Sequence, residues 1–185
     1  NTVHGAVSAR FTRTEQGFGS ALATAESPAF NLGDEFTIEL ALKSNSPEVP
    51  QFETVMLLAT DEGNLYSINY DSVSISFLGV DNQGVWYVPS EISLYEGPHH
   101  VAFVGKGDTL SIYVDRVLKG SGILRHSLAG GNGARVYLGG NDVAHNGVNG
   151  FNGIIDRVRI AGKALTPAGF FGHRTWDLIM EPLVS

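Results

Sequence analysis

Glu35 and Glu39 lie four residues apart in one alternating segment, with Thr37 between them, and are the sequence's nearest approach to a paired-acid site. Cleaving a glycosidic bond takes two carboxyl groups that flank it at about 5–9 Å. On a strand that means acids two or four residues apart on one face, as in an E-x-D-x-x-E array. No such array occurs, and Glu35 and Glu39 read as outward, solvated positions. Nucleophile chemistry fares no better. Gly120-Ser121-Gly122 lacks the spacing of a G-x-S-x-G elbow and follows a hairpin strand. The glycines between 130 and 140 lead into a strand rather than a helix, so they form no phosphate loop. With no cysteine, thiolate metal sites and cysteine nucleophiles are excluded.

What remains is chemistry suited to binding. His99 and His100 are neighbours, so on a strand they point to opposite faces and do not chelate one metal together. The segment from Gly139 to Gly153 carries Asn141, Asp142, Asn146, Asn149 and Asn152, with His145 among them and Asp156 just beyond. Calcium takes six to eight oxygens from carboxylates, amides and carbonyls. Asp142 and Asp156 are the carboxylates this loop could offer it, so calcium is the one cofactor kept open. The alternative is a turn-rich loop whose asparagines make Asx turns. His145, Asn146 and Asn149 are the loop's candidates for ligand contact. Trp86 and Tyr87 follow a turn, with Tyr70 and Tyr95 as further aromatics, and could supply a platform for a sugar ring. As strand neighbours, one of the two should be core and the other rim.

Short alternating segments position these groups. Phe36, Ile38, Leu40 and Leu42 alternate with Thr37, Glu39 and Ala41, and the same period recurs at 65–70, 73–77, 101–103 and 109–114. Asp61-Glu62-Gly63-Asn64, Asp81-Asn82-Gln83-Gly84 and Gly105-Lys106-Gly107-Asp108 are turn signals, and Asp115-Arg116 closes a tight hairpin. About ten short strands with such turns predict an all-β sandwich of two antiparallel sheets. Residues 44–53 read as a surface loop. Helical pattern is confined to one short C-terminal element, with Thr166 as N-cap and Pro167 at its first position. In the segment 154–160, alternation would put Ile154, Asp156, Val158 and Ile160 inward, leaving Ile155, Arg157 and Arg159 outside. An inward Asp156 would need backbone donors, a cation or an arginine.

Composition bounds the partners. A chain of 185 residues suits one domain, large enough to need no covalent staple. Twelve basic against nineteen acidic residues give a net charge of −7, unsuited to a phosphate backbone, so nucleic acid is not an expected partner. No apolar run reaches the roughly 20 residues of a membrane helix, and no signal-peptide pattern opens the chain, so membrane insertion is not expected. Starting at Asn1, the chain is expected to be a processed or trimmed form.

Several segments carry a family resemblance. Gly97-Pro98-His99-His100-Val101-Ala102-Phe103-Val104, Leu110-Ser111-Ile112-Tyr113-Val114-Asp115 and Leu138-Gly139-Gly140-Asn141 resemble the laminin-G branch of the concanavalin A-like lectin superfamily. Phe151-Asn152-Gly153-Ile154-Ile155-Asp156-Arg157-Val158-Arg159-Ile160, followed by Ala164-Leu165-Thr166-Pro167-Ala168, is the clearest match. Pro98, Arg116, Arg157 and Gly169 depart from the tryptophan, glycine, glutamate and acid usual at those places. The resemblance implies a jelly-roll sandwich over residues 1–173, followed by a tail, 174–185, that packs on the domain or on a partner. The tail, Arg174-Thr175-Trp176-Asp177-Leu178-Ile179-Met180-Glu181-Pro182, is similar to those following such domains in phage and bacterial surface structural proteins, and its Trp176 is read either as a plug against the domain's own sheet or as the contact for a partner. The expected function is a non-catalytic surface module, extracellular or on a virion or cell surface, that binds a glycan or protein through rim loops. A decoration, tail or capsid protein without glycan binding is the alternative, with neighbouring subunits as its partners, and a polysaccharide-active enzyme the second.

Overall fold

The computed structural model describes residues 8–14, 19–49, 52–60, 63–125, 133–140 and 149–171. Twelve strands among them form two six-stranded sheets packed face to face. The strands are β1 (Ala9–Phe11), β2 (Leu22–Ala23), β3 (Glu35–Ser44), β4 (Glu53–Thr60), β5 (Gly63–Tyr70), β6 (Ser74–Asp81), β7 (Gly84–Glu91), β8 (His99–Lys106), β9 (Thr109–Val114), β10 (Val117–Ile123), β11 (Arg135–Leu138) and β12 (Gly153–Ala161). The first sheet runs β1-β12-β3-β8-β9-β10, the second β2-β11-β4-β5-β6-β7, and every strand pairing is antiparallel.

The inward alternation of both sheets makes one core. From the first sheet come Phe36, Ile38, Leu40, Leu42, Val101, Phe103, Leu110 and Ile112; from the second Met56, Leu58, Tyr66, Ile68, Ile75, Phe77 and Val88. Aromatic rings concentrate at its centre. Phe77 lies 5.2 Å from Tyr66, 5.7 Å from Phe103 and 5.9 Å from Phe36, centroid to centroid. Such tilted and stacked pairs add about 0.5–1.5 kcal/mol each beyond the area they bury. Trp86 joins them from β7, and its indole lies where a side chain at Gly79 would project: a Cβ there would meet the ring at 2.5 Å. Glycine at 79 is therefore what admits the tryptophan.

Loop chemistry matches the strands. Asp115 and Arg116 have φ of +49° and +69° and join β9 to β10 as a two-residue hairpin turn, whose positive φ angles suit the strand twist. Asp71 accepts from the N–H groups of Val73 and Ser74, so Val73 belongs to a turn and is 70% exposed rather than inward. The free edges are blunted: β7 carries Pro89, and β10 is irregular between Leu118 and Gly120, where Lys119 stands.

Three further readings of the sequence change. The helical element is a single 3-10 turn, Pro167–Gly169, and Thr166 makes no side-chain cap bond. A second such turn, Pro28–Phe30, is capped by Ser27, whose Oγ accepts from the Ala29 N–H. The 44–53 segment is no simple surface loop, because Ser46, Val49 and Glu53 are buried.

The third correction concerns Asp156. The β12–β3 register slips between Ile155 and Arg157, so Asp156 is the extra residue of a bulge. The slip turns Ile155 inward beside Val158 and Ile160, opposite to strict alternation, while Arg157 and Arg159 stay outside. Asp156 is half-buried and accepts from the Ser8 hydroxyl at 2.6 Å. Losing one such contact costs about 1 kcal/mol. Asp156→Ala is therefore expected to lower stability in urea denaturation by about 1 kcal/mol or less, whereas a loss of several would mean the carboxylate brackets buried donors.

Candidate ligand-binding face

The second sheet turns its outer face away from the core, and register sets the side chains there in rows. One row is Tyr137, Leu57, Ser67, Leu78 and Tyr87, each opposite the next across β11, β4, β5, β6 and β7. The adjacent row is Thr54, Asn69, Ser76 and Pro89. The rows sink toward the middle strands: Leu57 and Thr54 are 2% exposed and Asn69 8%, while Tyr87 stands 66% and Val85 65% exposed at the β7 edge.

Asn69 is the group here whose chemistry is incomplete. Its Nδ2 donates to Ser67 Oγ at 3.1 Å, and its buried Oδ1 has no hydrogen-bond partner. A buried acceptor without a donor costs about 1–3 kcal/mol, so an O–H or N–H that reached this oxygen would recover part of that cost. Strand spacing places Tyr87 about 12 Å from it, two strands across and two residues along. The face thus pairs an aromatic ring and apolar Leu78 and Val85 with amide and hydroxyl groups.

Asn149 borders this face. Its φ is +66°, its carbonyl accepts from the Thr54 N–H at 2.7 Å, and Gly150 bridges to Thr54. Glu53 anchors the same rim from within. It is fully buried, its Oε1 accepting from Ser46 Oγ at 3.0 Å and pairing with Arg13 at 3.1 Å, and Asn152 donates to that Ser46 hydroxyl. Burial pushes the Glu53 carboxyl above its ordinary pKa, against the lowering by Ser46 and Arg13.

The site residues expected from sequence separate accordingly. Tyr87 lies on the face and Asn149 beside it. Trp86 does not: it is 6% exposed and stacked into the core, so it offers no platform. Tyr70 is likewise fully buried, its hydroxyl donating to Ser72 O and accepting from Leu94 N–H. Asp156 belongs to the other sheet and is engaged by Ser8. Asp142, His145, Asn146 and Trp176 lie outside the described residues. Among the described residues no group of three or more histidines and acids could hold a metal ion; of the two carboxylates considered for calcium, Asp142 lies outside the described residues and Asp156 accepts from Ser8.

Sequence reading missed Asn69, which looked like one more solvated position of an alternating strand. It also misplaced Glu39. On the outer face of the first sheet the segment 163–171 folds over β3 and β8, and Glu39 is fully buried beneath it. Glu39 Oε1 accepts from the Phe171 N–H at 2.8 Å and lies 3.0 Å from His100 Nε2, while Oε2 pairs with Arg159. Thr37 donates to Lys163 O and accepts from Leu165 N–H, and Phe170 buries itself against Ala102 and Val104. His100 is buried and His99 half-exposed, its Nδ1 2.7 Å from Asp115. Glu39 is enclosed, so it serves as the anchor of a strap.

A family model described as the concanavalin A-like lectin/glucanases superfamily (Laminin_G_3) matches residues 16–169. The chain belongs to this superfamily. Solved structures agree on the fold. A heptameric SAP-like pentraxin from Limulus polyphemus aligns with a TM-score of 0.65 at 16% identity, over 86% of this chain and 77% of that one. The CBM40 of the Ruminococcus gnavus IT-sialidase, solved with α2,3-sialyllactose, aligns at 0.61 and 12%, over 89% and 96%. The binding domain of botulinum neurotoxin serotype D/C aligns at 0.63 and 15%, over 81% of this chain and 38% of that one. At these identities the likeness concerns the fold. No curated protein matches the sequence significantly. No helix among the described residues is long and apolar enough to cross a membrane.

Proposed function

We propose that the chain is a non-catalytic binding module that holds a glycan on the outer face of its second sheet and works at an extracellular, cell or virion surface. The observation that carries this reading is the buried, unpartnered Asn69 Oδ1 in a row of hydroxyls, with Tyr87 exposed nearby. A sugar offers what that face lacks, hydroxyl donors for the amide and an apolar ring surface for the tyrosine. The superfamily and the sialyllactose-bound carbohydrate-binding module among its structural neighbours support the same reading. Glu91 is the carboxylate that the described strands put on this face, and one acid is too few for two-carboxylate hydrolysis. The test is a glycan array with the intact chain. Specific hits that vanish in both Asn69→Ala and Tyr87→Ala are expected, with no reducing sugar released from any bound glycan. An empty array, or turnover abolished by one acid substitution, would contradict the reading.

A further inference from the structure

The chain's net charge is −7, yet one face gathers positive charge. Arg10 of β1, Lys43 of β3, Arg157 and Arg159 of β12 and Lys163 just beyond it all lie on the outer face of the first sheet. The register shows it. Ile154 sits between Arg10 and Lys43, and Arg157 and Arg159 stand opposite Ala41 and Glu39 on the face away from Leu40 and Leu42. Lys163 is fixed there because its carbonyl accepts from Thr37. Arg159 is neutralised by Glu39. Arg10, Lys43, Arg157 and Lys163 make no ion pair among the described residues, and Arg157 is held over the Phe171 ring at 5.1 Å. Among the described residues the other acids of this face are Asp156, bound by Ser8, and exposed Glu35, opposite Lys106. Neighbouring strands are about 4.8 Å apart and alternate residues of one strand about 6.6 Å, so Arg10 and Lys43 flank β12 at the level of Ile154, and Arg157 on the strand and Lys163 just past its end continue the cationic track in the β12 direction.

We propose that this face is a second binding surface that takes a linear anionic polysaccharide along β12 through Arg10, Lys43, Arg157 and Lys163. Charge complementarity supplies the attraction, and guanidinium groups suit the paired oxygens of sulfate or carboxylate. A ligand lying on the outer face of β12 and β3 meets side chains, whereas the main-chain bonds that usually hold an extended peptide are made at a sheet edge. Recognition rests on side-chain cations, which favours a polymer identified by its charges.

The experiment measures binding of the intact chain to dextran sulfate over a salt series, with uncharged dextran and poly-glutamate as comparison arms. Dextran sulfate should bind and uncharged dextran should not. In Arg10→Gln/Lys43→Gln/Arg157→Gln the slope of log K against log salt should flatten by about 2–3, roughly one per lost contact, with affinity down about tenfold or more at low salt. The exposed pair Arg10→Gln/Lys163→Gln should show about two-thirds of that change and guards against a folding defect. Lys106→Gln/Lys119→Gln and Asn69→Ala should bind as the parent does. No binding to dextran sulfate, an unchanged slope, an equal loss in the Lys106/Lys119 control, or tighter binding of poly-glutamate would each overturn the proposal.

Discussion

Glu39→Ala is expected to lower stability by roughly 2–4 kcal/mol, somewhat less than the usual cost of breaking a fully buried pair because Arg159 still reaches solvent. Three groups lose this carboxylate at once: Arg159, His100 and the Phe171 N–H. The pH dependence carries its own signature. Burial alone would raise the Glu39 pKa, but His100, the Phe171 N–H and Arg159 outweigh it and hold the carboxyl below its ordinary value. The unfolded chain therefore binds the proton more readily than the folded one between those two values. The stabilisation is complete above the ordinary glutamate range and lost as pH falls through the lowered folded value. Glu53 works the other way, since its raised folded value makes stability fall as pH rises through it. Urea denaturation on both sides of the glutamate range should show Glu39→Gln losing part of the acid-side slope. An unchanged slope together with a loss below about 0.5 kcal/mol, typical of a surface position, would mean that the strap is not anchored by this carboxylate.

The second large effect separates two neighbours. Trp86→Ala should cost roughly 3–5 kcal/mol, the range for emptying a buried aromatic site, because the indole packs against Phe77 and Tyr66 over Gly79. Tyr87→Ala should stay within about 0.5 kcal/mol and yet lose ligand. Chemical denaturation beside a binding assay reads both. Equal destabilisation of the two, or binding loss in Trp86→Ala without destabilisation, would reverse the assignment.

The same alternation that separates this pair explains which parts of the fold could be read from sequence. Strands with one wet face declared themselves: β6 shows Ile75 and Phe77 buried between half-exposed serines. β4 did not, because Val55-Met56-Leu57-Leu58-Ala59 is buried on both faces and carries no period. β12 was seen, but the bulge at Asp156 moved Ile155 to the other side, and strict alternation contains no signal for one inserted residue. Glu39 looked solvated because the segment that covers it comes at the far end of the chain. No local pattern announces that cover. The site shows the same limit. Tyr87 was readable as half of a core-and-rim pair, whereas Asn69 became notable only when burial and an unsatisfied oxygen coincided.

The most direct measurement is a chemical-shift titration of the isotope-labelled chain with the glycan that the array selects. The account predicts that the largest perturbations fall on the amides of Ser67, Asn69, Ser76 and Tyr87, with the Asn69 side-chain amide among them, while the strap from Lys163 to Phe171 stays unmoved. Perturbations that instead cluster on the strap or scatter over both sheets, with Asn69 unaffected, would contradict it.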